Sequence, residues 1–362
     1  MESLSVKAYG AKASLIDRFS TLSRMDIQRN APKPDEVLID VLYCGVCHSD
    51  LHQVRNDWAN TVYPCIPGHE IVGKVVQAGS AVTRFQIGDV VGVGCMIDSC
   101  GTCSSCQEGE ENYCEGPVSW TATYNGYMKP DGSGYNTFGG YSTSMVVKES
   151  FVLRIPDTLD ITRAAPIMCA GVTTYSPLRH WNVKEGDKVG IVGIGGLGHM
   201  AVQLARALGA QVTAITHSEV KRDSAMALGA HEVLIESDKK AMTAHELAFD
   251  MLLITIPDPF DVSSYVNLLK KNGSLVTVGL LGNYKSPLNN MNMALHRRSV
   301  AGSIIGSIAE TQEVLDFCAE HSIMPEVEII AMKDVNKAFS RMMDNDIRFR
   351  FVIDMQTLKD EQ

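Results

Sequence analysis

A group of reactive side chains lies in one short segment near the start of the chain. Residues 44–52, CGVCHSDLH, include two thiols, two imidazoles, a hydroxyl and a carboxylate. Thiols and imidazoles are ligands that Zn²⁺ prefers, and an imidazole also transfers protons near neutral pH. Taken singly, each polar residue of such a segment is also common on surfaces and at helix caps. Cys44 and Cys47 have the spacing of a C-x-x-C redox pair as well, although nothing thioredoxin-like surrounds them.

Four more cysteines lie together further along the chain. Cys100, Cys103, Cys106 and Cys114 have the spacing C-x2-C-x2-C-x7-C in a segment rich in glycine and serine. Four thiolates at this spacing close a tetrahedral Zn²⁺ site with no open position, so we predict a structural zinc that stiffens the loop. An iron–sulfur cluster and unliganded thiols are the alternatives. Cys114 follows too late for the bacterial C-x3-C-P continuation, which favours zinc.

A glycine-rich turn predicts a dinucleotide site. Residues 188–208 read KVGIVGIGGLGHMAVQLARAL, in which an apolar strand pattern precedes the glycines and an amphipathic helical pattern follows them. Gly193 permits a tight turn, Gly195 lets the backbone approach a pyrophosphate, and Gly198 lets the helix pack closely on the strand. An ordinary glycine-rich turn is the alternative, and this strand–turn–helix context argues against it. The candidate coenzyme residues of the turn are Gly193, Gly195, Gly196, Leu197 and Gly198.

The residues after the next predicted strand indicate which nicotinamide coenzyme binds. A carboxylate about 20 residues past the glycine turn normally binds the ribose 2′-hydroxyl of NAD. Here the strand VTAI is followed by Thr216, Ser218 and Lys221, with no carboxylate at the strand end. Hydroxyl and cationic groups suit a 2′-phosphate, which an acid would repel. We therefore predict NADP(H), with Arg222 as a further cation and Glu219 as the residue that would bind NAD instead.

Composition limits the remaining possibilities. The chain has 362 residues and a formal net charge of −10, and this length predicts two domains. An acidic balance argues against binding nucleic acid or anionic membranes, because both need a basic face. The N-terminal residues lack the apolar core of a signal peptide, and no run approaches the ~20 apolar residues of a membrane span. Ten cysteines without a secretory signal predict reduced thiols and metal ligands in a cytoplasmic protein.

The pattern of predicted elements changes near residue 160. Before it, short strands such as residues 36–43 and 71–78 are separated by glycine and proline turns. After it, strands alternate with helices, including a predicted helix over residues 263–272, SSYVNLLKKN. This alternation predicts a parallel, doubly wound sheet. After residue 305 the sequence predicts a helix at ETQEVLDFCAEH and short strands at VEIIA and FRFVIDM.

Further motifs complete a family resemblance. Residues 45–52 read GVCHSDLH, residues 67–73 read PGHEIVG, and residues 169–178 read CAGVTTYSPL. With the cysteine loop and GIGGLG, their order resembles that of the zinc-dependent medium-chain alcohol dehydrogenases over essentially the whole chain. The residues within these motifs are similar to those of the cinnamyl-alcohol-dehydrogenase branch, which includes broad aldehyde reductases. The resemblance implies an α/β fold: a GroES-like, β-rich catalytic domain (1–160), a Rossmann cofactor domain (161–304), and a C-terminal return to the catalytic domain (305–362).

The resemblance also implies a catalytic metal site. By position, Cys47, His69 and Cys169 would hold a catalytic Zn²⁺ and leave the fourth position for water or the substrate oxygen. Such a set suits a metal that polarises a carbonyl while it exchanges ligands. Glu70 would lie beside the metal and ligate it transiently. Asp50 would orient His69 from behind. With the structural site, two zinc ions per chain are expected.

Other roles follow from the same resemblance. Ser49 would hydrogen-bond the substrate oxygen, and His52 would complete a proton relay to solvent through the coenzyme ribose. His48 would contact the coenzyme pyrophosphate. Thr173 and Ile305 would lie near the nicotinamide, with Ser303 in the same coenzyme-contacting segment. The remaining cysteines, Cys65, Cys95 and Cys318, are expected to be small core residues.

The expected substrate pocket is apolar and aromatic. Leu51, Trp58 and Trp120 would border it, which favours aromatic or medium-length aliphatic aldehydes over polyols, whose hydroxyls would be left unpaired. Both tryptophans also fit a purely structural role. The polar, glycine-rich segment 120–138 departs from the plant enzymes and would reshape the pocket entrance.

These features predict an NADP(H)-dependent enzyme that interconverts primary alcohols and aldehydes in a cleft between its domains. One rival is a polyol or secondary-alcohol dehydrogenase with the same zinc chemistry. Another is a reductase of specialised metabolites that acts on an iminium or an activated alkene, and a third is a non-catalytic zinc or NADPH-binding protein. The intact metal ligands, Ser49 and His52 argue against the last two. The family also implies a homodimer, formed by edge pairing near residues 300–305.

Overall fold

The computed structural model describes residues 3–15, 21–279, 282–344, 346 and 349–361. Its strands are β1 (Ser3–Gly10), β2 (Ser23–Asn30), β3 (Glu36–Val46), β4 (Ile71–Ala78), β5 (Val90–Val93), β6 (Met96–Asp98), β7 (Thr121–Ala122), β8 (Ser144–Lys148), β9 (Leu153–Arg154), β10 (Lys188–Val192), β11 (Gln211–Thr216), β12 (Glu232–Ile235), β13 (Phe249–Ile254), β14 (Leu269–Thr277), β15 (Ser299–Gly302), β16 (Val327–Ala331) and β17 (Arg350–Asp354). Its α-helices are α1 (His48–Arg55), α2 (Ser104–Gln107), α3 (Ala170–His180), α4 (Gly198–Ala207), α5 (Arg222–Ala227), α6 (Lys239–Ala244), α7 (Val262–Val266), α8 (Asn290–Ala294), α9 (Ile308–Glu320), α10 (Val335–Met343) and α11 (Gln356–Lys359).

The chain divides into two compact units. The first contains Met1–Cys169 together with Ser307–Gln362, and the second contains Ala170–Gly306. The predicted strands over residues 36–43 and 71–78 are confirmed as β3 and β4. In β3, Val37, Ile39 and Val41 are buried at every second position, because successive side chains of a strand point to opposite faces.

The first unit is built on one mixed sheet. Its strands are ordered β16-β17-β3-β4-β5-β9, and β8 also pairs with β3. Strand β17, near the end of the chain, pairs antiparallel with β3, near its start. The C-terminal segment therefore completes the sheet whose strand β3 ends just before Cys47. Two small antiparallel sheets, β1-β2 and β6-β7, belong to the same unit.

The second unit contains the parallel sheet that the sequence predicts. Its strands are ordered β12-β11-β10-β13-β14-β15, and each neighbouring pair is parallel. The order reverses direction next to β10, which is the doubly wound arrangement. In open sheets of this kind ligands bind beyond the carboxyl ends of the strands, so the glycine turn after β10 lies at the expected edge. The predicted fold class is confirmed.

One predicted element is wrong in its second half. The helix expected over residues 263–272 ends early, as α7, and the chain then enters β14 at Leu269. Leu269 is fully buried and pairs with Phe249 of β13. Asn272 adopts a left-handed backbone conformation, with φ of 66°, that a helix interior does not contain. Pairing to a buried neighbouring strand thus outweighs the local helical pattern.

No helix in the described ranges combines the length and the apolar character needed to cross a membrane.

Candidate active site and metal centres

Cys47 is placed by the junction of β3 and α1. It precedes the helix as its N-cap residue, with extended backbone angles. The backbone N–H of Cys47 donates to the Asp50 carboxylate at 2.8 Å, so a side chain of the first helical turn fixes the start of the helix. The thiol of Cys47 is thereby held at the end of a buried strand.

Asp50 connects this helix to His69. Its carboxylate is fully buried and accepts hydrogen bonds from the Gly68 N–H at 3.0 Å and from the Tyr141 hydroxyl at 3.3 Å. Its Oδ1 also lies 3.2 Å from His69 Nδ1. A proton on Nδ1, bound to the carboxylate, leaves the Nε2 lone pair of His69 for a metal ion. Asp50 therefore has the geometry of a carboxylate that can orient a metal-binding imidazole.

The predicted ligands of the catalytic metal meet in one buried cluster. The ligand atoms of Cys47, His69, Glu70 and Cys169 all lie within 4.8 Å of one another. His69 Nε2 is 3.2 Å from the Cys169 sulfur, although the two residues are 100 positions apart in the chain. Two thiols and one imidazole are a donor set that suits zinc and leaves a fourth position open. The residues present therefore fit a catalytic zinc ion.

Glu70 supplies a further oxygen to this cluster. Its Oε1 accepts a hydrogen bond from Arg350 at 2.9 Å and lies 4.0 Å from His69 Nε2. Its Oε2 is buried and has no hydrogen-bond partner among the described residues. Burial raises the pKa of Glu70 to about 7, and the Arg350 charge opposes this rise. The unpartnered oxygen is available to a metal ion, which fits the transient ligand expected at this position.

The two residues predicted to form a proton relay lie on the same helix. Ser49 and His52 are three positions apart on α1 and share one face of it. The Nδ1 atom of His52 lies 2.9 Å from an Asp57 carboxylate oxygen, and its ring centre lies 5.6 Å from that of Trp58. The His52 side chain is 37% exposed, so one end of the helix face reaches solvent.

The other predicted residues of this unit have different degrees of burial. Leu51 and Trp120 are buried at 6% exposure each, and Trp58 is half-buried. The ring centre of His48 lies 6.4 Å from that of His52. Burial lowers the pKa of His48, so a neutral imidazole is favoured there.

The second cysteine cluster is a separate candidate metal centre. The sulfur atoms of Cys100, Cys103, Cys106 and Cys114 lie within 4.8 Å of one another. Backbone N–H groups donate to three of these sulfurs: Cys103 to Cys100 at 3.4 Å, Glu115 to Cys103 at 3.3 Å and Gly116 to Cys114 at 3.4 Å. Such bonds stabilise thiolates, and four thiolates fit a closed tetrahedral zinc site.

The predicted coenzyme turn has the shape that a dinucleotide requires. Gly193 adopts φ of 91°, and a Cβ atom at Gly198 would lie only 1.9 Å from the Gly193 carbonyl oxygen. A Cβ at Gly195 would meet nothing within 4 Å, so the backbone there is open to a ligand. Gly196 lies in the same turn, and Leu197 is the N-cap residue of α4. These residues fit a pyrophosphate at the helix N-terminus.

The residues that follow β11 also lie at the carboxyl edge of the sheet. Thr216 is buried at 3% exposure, and its hydroxyl oxygen accepts from the Ser218 N–H at 3.2 Å. Lys221 Nζ donates to the Ile194 carbonyl in the glycine turn at 2.8 Å. Glu219 pairs with Arg222 at the start of α5.

The remaining predicted coenzyme residues belong to the second unit. Thr173 is buried on α3, just after Cys169 in the chain. Ser303 follows β15, and its N–H donates to the Thr277 carbonyl at 3.0 Å. Ile305 has φ of 41°, an uncommon conformation for a β-branched residue, and such residues concentrate at functional sites.

Several residues near the site were not predicted from the sequence. Arg350 binds Glu70, Asp57 pairs with His52, and Tyr141 binds Asp50. The ring centre of Tyr124 lies 5.7 Å from that of His69. Only Asp57, five positions from His52, is close enough in the chain to be found as a local acid–imidazole pair.

The three cysteines expected in the core differ. Burial raises the pKa of both Cys65 and Cys318 to about 12, as befits inert core thiols. Cys95 is only half-buried, and its thiol donates to the Met168 carbonyl oxygen at 3.9 Å. The interpretation of Cys95 as a core residue is therefore wrong, because the fold leaves its side chain partly exposed, beside the residue that precedes Cys169.

Comparison with known proteins agrees with this geometry. Residues 33–157 match the alcohol dehydrogenase GroES-like domain, and residues 196–320 match the zinc-binding dehydrogenase domain. The chain is 50% identical to aldehyde reductase YahK of Escherichia coli, over 99% of this chain and 100% of that protein. It is 45% identical to vomilenine reductase of Rauvolfia serpentina, over 98% and 96%. The crystal structure of CAD from Helicobacter pylori complexed with NADP(H) superposes with a TM-score of 0.89 at 37% identity, covering 98% of this chain and 99% of that one.

The chain belongs to the zinc-binding alcohol dehydrogenases, with a GroES-like domain and a Rossmann-like parallel-sheet domain. It is therefore an oxidoreductase that interconverts alcohols and aldehydes. The predicted family, fold class and enzyme class are confirmed.

Proposed function

We propose that this enzyme is a zinc- and NADP(H)-dependent reductase of aromatic and medium-chain aliphatic aldehydes that also oxidises the corresponding primary alcohols. The observation that carries this proposal is the buried cluster of Cys47, His69 and Cys169, with Asp50 behind the imidazole. These three ligands leave one position for the substrate oxygen. Zinc bound there supplies Lewis-acid polarisation of the carbonyl, and NADPH supplies the hydride.

The protein groups orient the substrate and move a proton. Ser49 donates its hydroxyl hydrogen to the substrate oxygen, and His52, on the same helix face, passes protons to solvent. The Asp57 carboxylate, 2.9 Å from Nδ1, fixes the orientation of the His52 ring. Glu70 is held by Arg350 with its second oxygen unpartnered, so this carboxylate would be a transient ligand of the zinc ion.

The residues at the end of β11 support NADP(H) over NAD(H). Thr216, Ser218 and Lys221 offer hydroxyl and ammonium donors to a 2′-phosphate, and Lys221 lies against the glycine turn. The similar CAD from Helicobacter pylori was solved as a complex with NADP(H). We assign the pyrophosphate to His48 and to the residues of the turn, which are Gly193, Gly195, Gly196, Leu197 and Gly198. We assign the nicotinamide end to Thr173, Ser303 and Ile305.

Apolar and aromatic side chains near the relay support the proposed substrates. Trp58 lies against the His52 ring, and Leu51 belongs to the same helix as Ser49. We assign Leu51, Trp58 and Trp120 to the substrate pocket. A pocket of this character leaves the extra hydroxyls of a polyol without partners, which disfavours polyols.

A substrate panel with both coenzymes tests this proposal. Benzaldehyde, a medium-chain aldehyde, sorbitol and isopropanol are assayed before and after treatment with a strong chelator. We expect the aldehydes with NADPH to give the highest kcat/KM, and the chelator to abolish it. A kcat/KM with NADH that equals or exceeds that with NADPH would refute the coenzyme assignment, and preference for sorbitol would refute the substrate class.

A second candidate function is the reduction of a specialised metabolite, which the similarity to vomilenine reductase favours. Hydride delivery to an iminium or an activated alkene needs little from a catalytic zinc ion. The same panel separates the two candidates: reduction that persists after removal of the catalytic metal supports this second function.

We also propose how the chain is organised and where it acts. Most catalytic residues are assigned to residues 1–160 and 305–362, with Cys169 as the exception, and most coenzyme contacts to 161–304. Strand β15 lies at an edge of its sheet, and pairing with the same edge of a second copy would form a homodimer. All ten cysteines are unpaired, which suits the reducing cytoplasm. Light scattering tests the dimer, and cell fractionation tests the location.

A further inference from the structure

The segment after β11 contains three charged side chains, those of Glu219, Lys221 and Arg222, which extend to opposite sides of the strand. Arg222, at the start of α5, binds both carboxylate oxygens of Glu219: its Nη2 donates to Oε2 at 3.1 Å, and its Nε donates to Oε1. The Nη1 group of Arg222 also donates to the Val233 carbonyl of β12 at 3.1 Å. The bidentate pair is thereby anchored on the β12 side of β11.

Lys221 extends to the other side. Its ammonium group donates to the Ile194 carbonyl, between Gly193 and Gly195 in the turn that follows β10. Lys221 has no carboxylate partner within the part of the chain that the structure describes. Strand β11 lies between β10 and β12 in the sheet, so the unpaired cation lies on the glycine-turn side and the ion pair on the far side.

Glu219 is the first carboxylate after β11, where an acid would bind the 2′-hydroxyl of NAD and repel the 2′-phosphate of NADP. Its pairing with Arg222 holds the pKa of its carboxyl below the ordinary value, so it remains ionised. The charge is therefore present and has to be kept away from the coenzyme if NADP is to bind.

We propose that Arg222 determines coenzyme preference without touching the coenzyme, by binding Glu219 and keeping that carboxylate out of the ribose site. This inference rests on the proposed NADP(H) dependence and extends it. Lys221 is then the unopposed charge beside the glycine turn. Arg222 is a positioning residue that acts through Glu219, and the alternative is a direct contact of its guanidinium with the 2′-phosphate.

A double-mutant cycle separates these two roles of Arg222. Calorimetry measures the binding of adenosine 2′,5′-bisphosphate and of 5′-AMP, which lacks the 2′-phosphate, to the zinc-loaded enzyme. We expect Arg222→Ala to weaken the bisphosphate about fivefold, because the released carboxylate repels it, and to leave 5′-AMP within about twofold. In the Glu219→Gln background the same change at Arg222 should alter bisphosphate binding less than about twofold.

Two further variants serve as controls for this interpretation. Arg222→Lys keeps a cation beside Glu219 and should restore most of the preference, which a general loss of structure would not allow. Lys33→Ala removes the cation of another pair with the same i,i+3 spacing, Lys33–Glu36, and should leave both ligands unaffected. Kinetics should agree: the ratio of kcat/KM for NADPH over NADH should fall in Arg222→Ala and recover in the double variant.

The outcomes for the two proposals are distinct. If Arg222→Ala weakens the bisphosphate equally in the wild-type background and in the Glu219→Gln background, Arg222 contacts the 2′-phosphate directly. That result would overturn the inference while leaving NADP(H) dependence intact. A wild-type enzyme that binds 5′-AMP as tightly as the bisphosphate would instead refute the NADP(H) assignment itself.

Discussion

The two cysteine clusters differ in how the chain builds them. One takes all four sulfurs from residues 100–114, and we call it the exposed cluster because Cys100 lies at the surface. The buried cluster combines Cys47, His69 and Cys169 from distant segments. Backbone N–H groups of its own loop stabilise the exposed cluster. The buried cluster depends instead on Asp50 and on Glu70, which Arg350 holds from the last strand. A local cluster can stiffen its loop, while a cluster assembled by the fold can keep a ligand position open for substrate.

The largest expected effect lies in the buried cluster. Cys47→Ala removes a ligand of the catalytic metal, so kcat should fall by at least about a thousandfold. The glycine turn belongs to the other compact unit, so binding of adenosine 2′,5′-bisphosphate should persist. Steady-state kinetics and calorimetry measure the two effects. Cys65→Ala, at a buried thiol of the core, is the matched control and should retain turnover.

The exposed cluster should respond in stability. Cys103→Ala opens the closed site, and loss of a structural zinc should lower Tm by about 10 °C. Differential scanning calorimetry and metal analysis follow the change. Ser104→Ala alters the same loop without removing a ligand and is expected to change Tm little. If Cys47→Ala and Cys103→Ala unfold the protein equally, the division into a catalytic and a structural centre is wrong.

A smaller effect is expected at Asp50, which contacts the predicted metal ligand His69. Asp50→Asn keeps the shape of the side chain but removes the charge that orients His69, so zinc affinity of the buried cluster should fall about 10- to 100-fold. Competition with a chromophoric chelator measures the affinity, and the exposed cluster should retain its metal. Asp40→Asn, at a carboxylate of β3 that pairs with Lys359, is the control. An unchanged affinity in Asp50→Asn would contradict the proposed support of His69.

The smallest effect should come from Tyr141, which hydrogen-bonds Asp50 and not a predicted metal ligand. Tyr141→Phe removes one donor from Asp50, which keeps its bonds to Cys47, Gly68 and His69. Losing one such bond is worth about 1 kcal/mol, so the zinc affinity should fall only about fivefold. The same competition assay applies, with Tyr9→Phe as a control, because Tyr9 also binds a carboxylate, Glu361. A loss as large as that of Asp50→Asn would mean that Tyr141, too, is essential to the orientation of His69.

Local patterns predict much of this molecule because the interactions behind them are local. Strand β4 and helix α4 follow from their apolar periodicity, and the glycine turn follows from backbone positions that exclude a Cβ atom. The segment at Leu269 shows the limit of such reasoning. There the local pattern favours a helix, but pairing with Phe249 makes the segment a strand.

The amino-acid sequence alone determines the closed cysteine loop, the dinucleotide turn and the alternation of strands and helices, because each depends on neighbours a few positions apart. Only the tertiary structure decides which side chains surround the buried metal cluster. Arg350 reaches Glu70 across 280 positions, and Tyr141 reaches Asp50 across 91. Cys95 and Cys65 are both lone cysteines in the sequence, yet Cys95 is partly exposed with its thiol against the Met168 carbonyl, and Cys65 is fully buried in the core. Such contacts depend on how strands pair and pack over long separations, and no short-range pattern encodes that pairing.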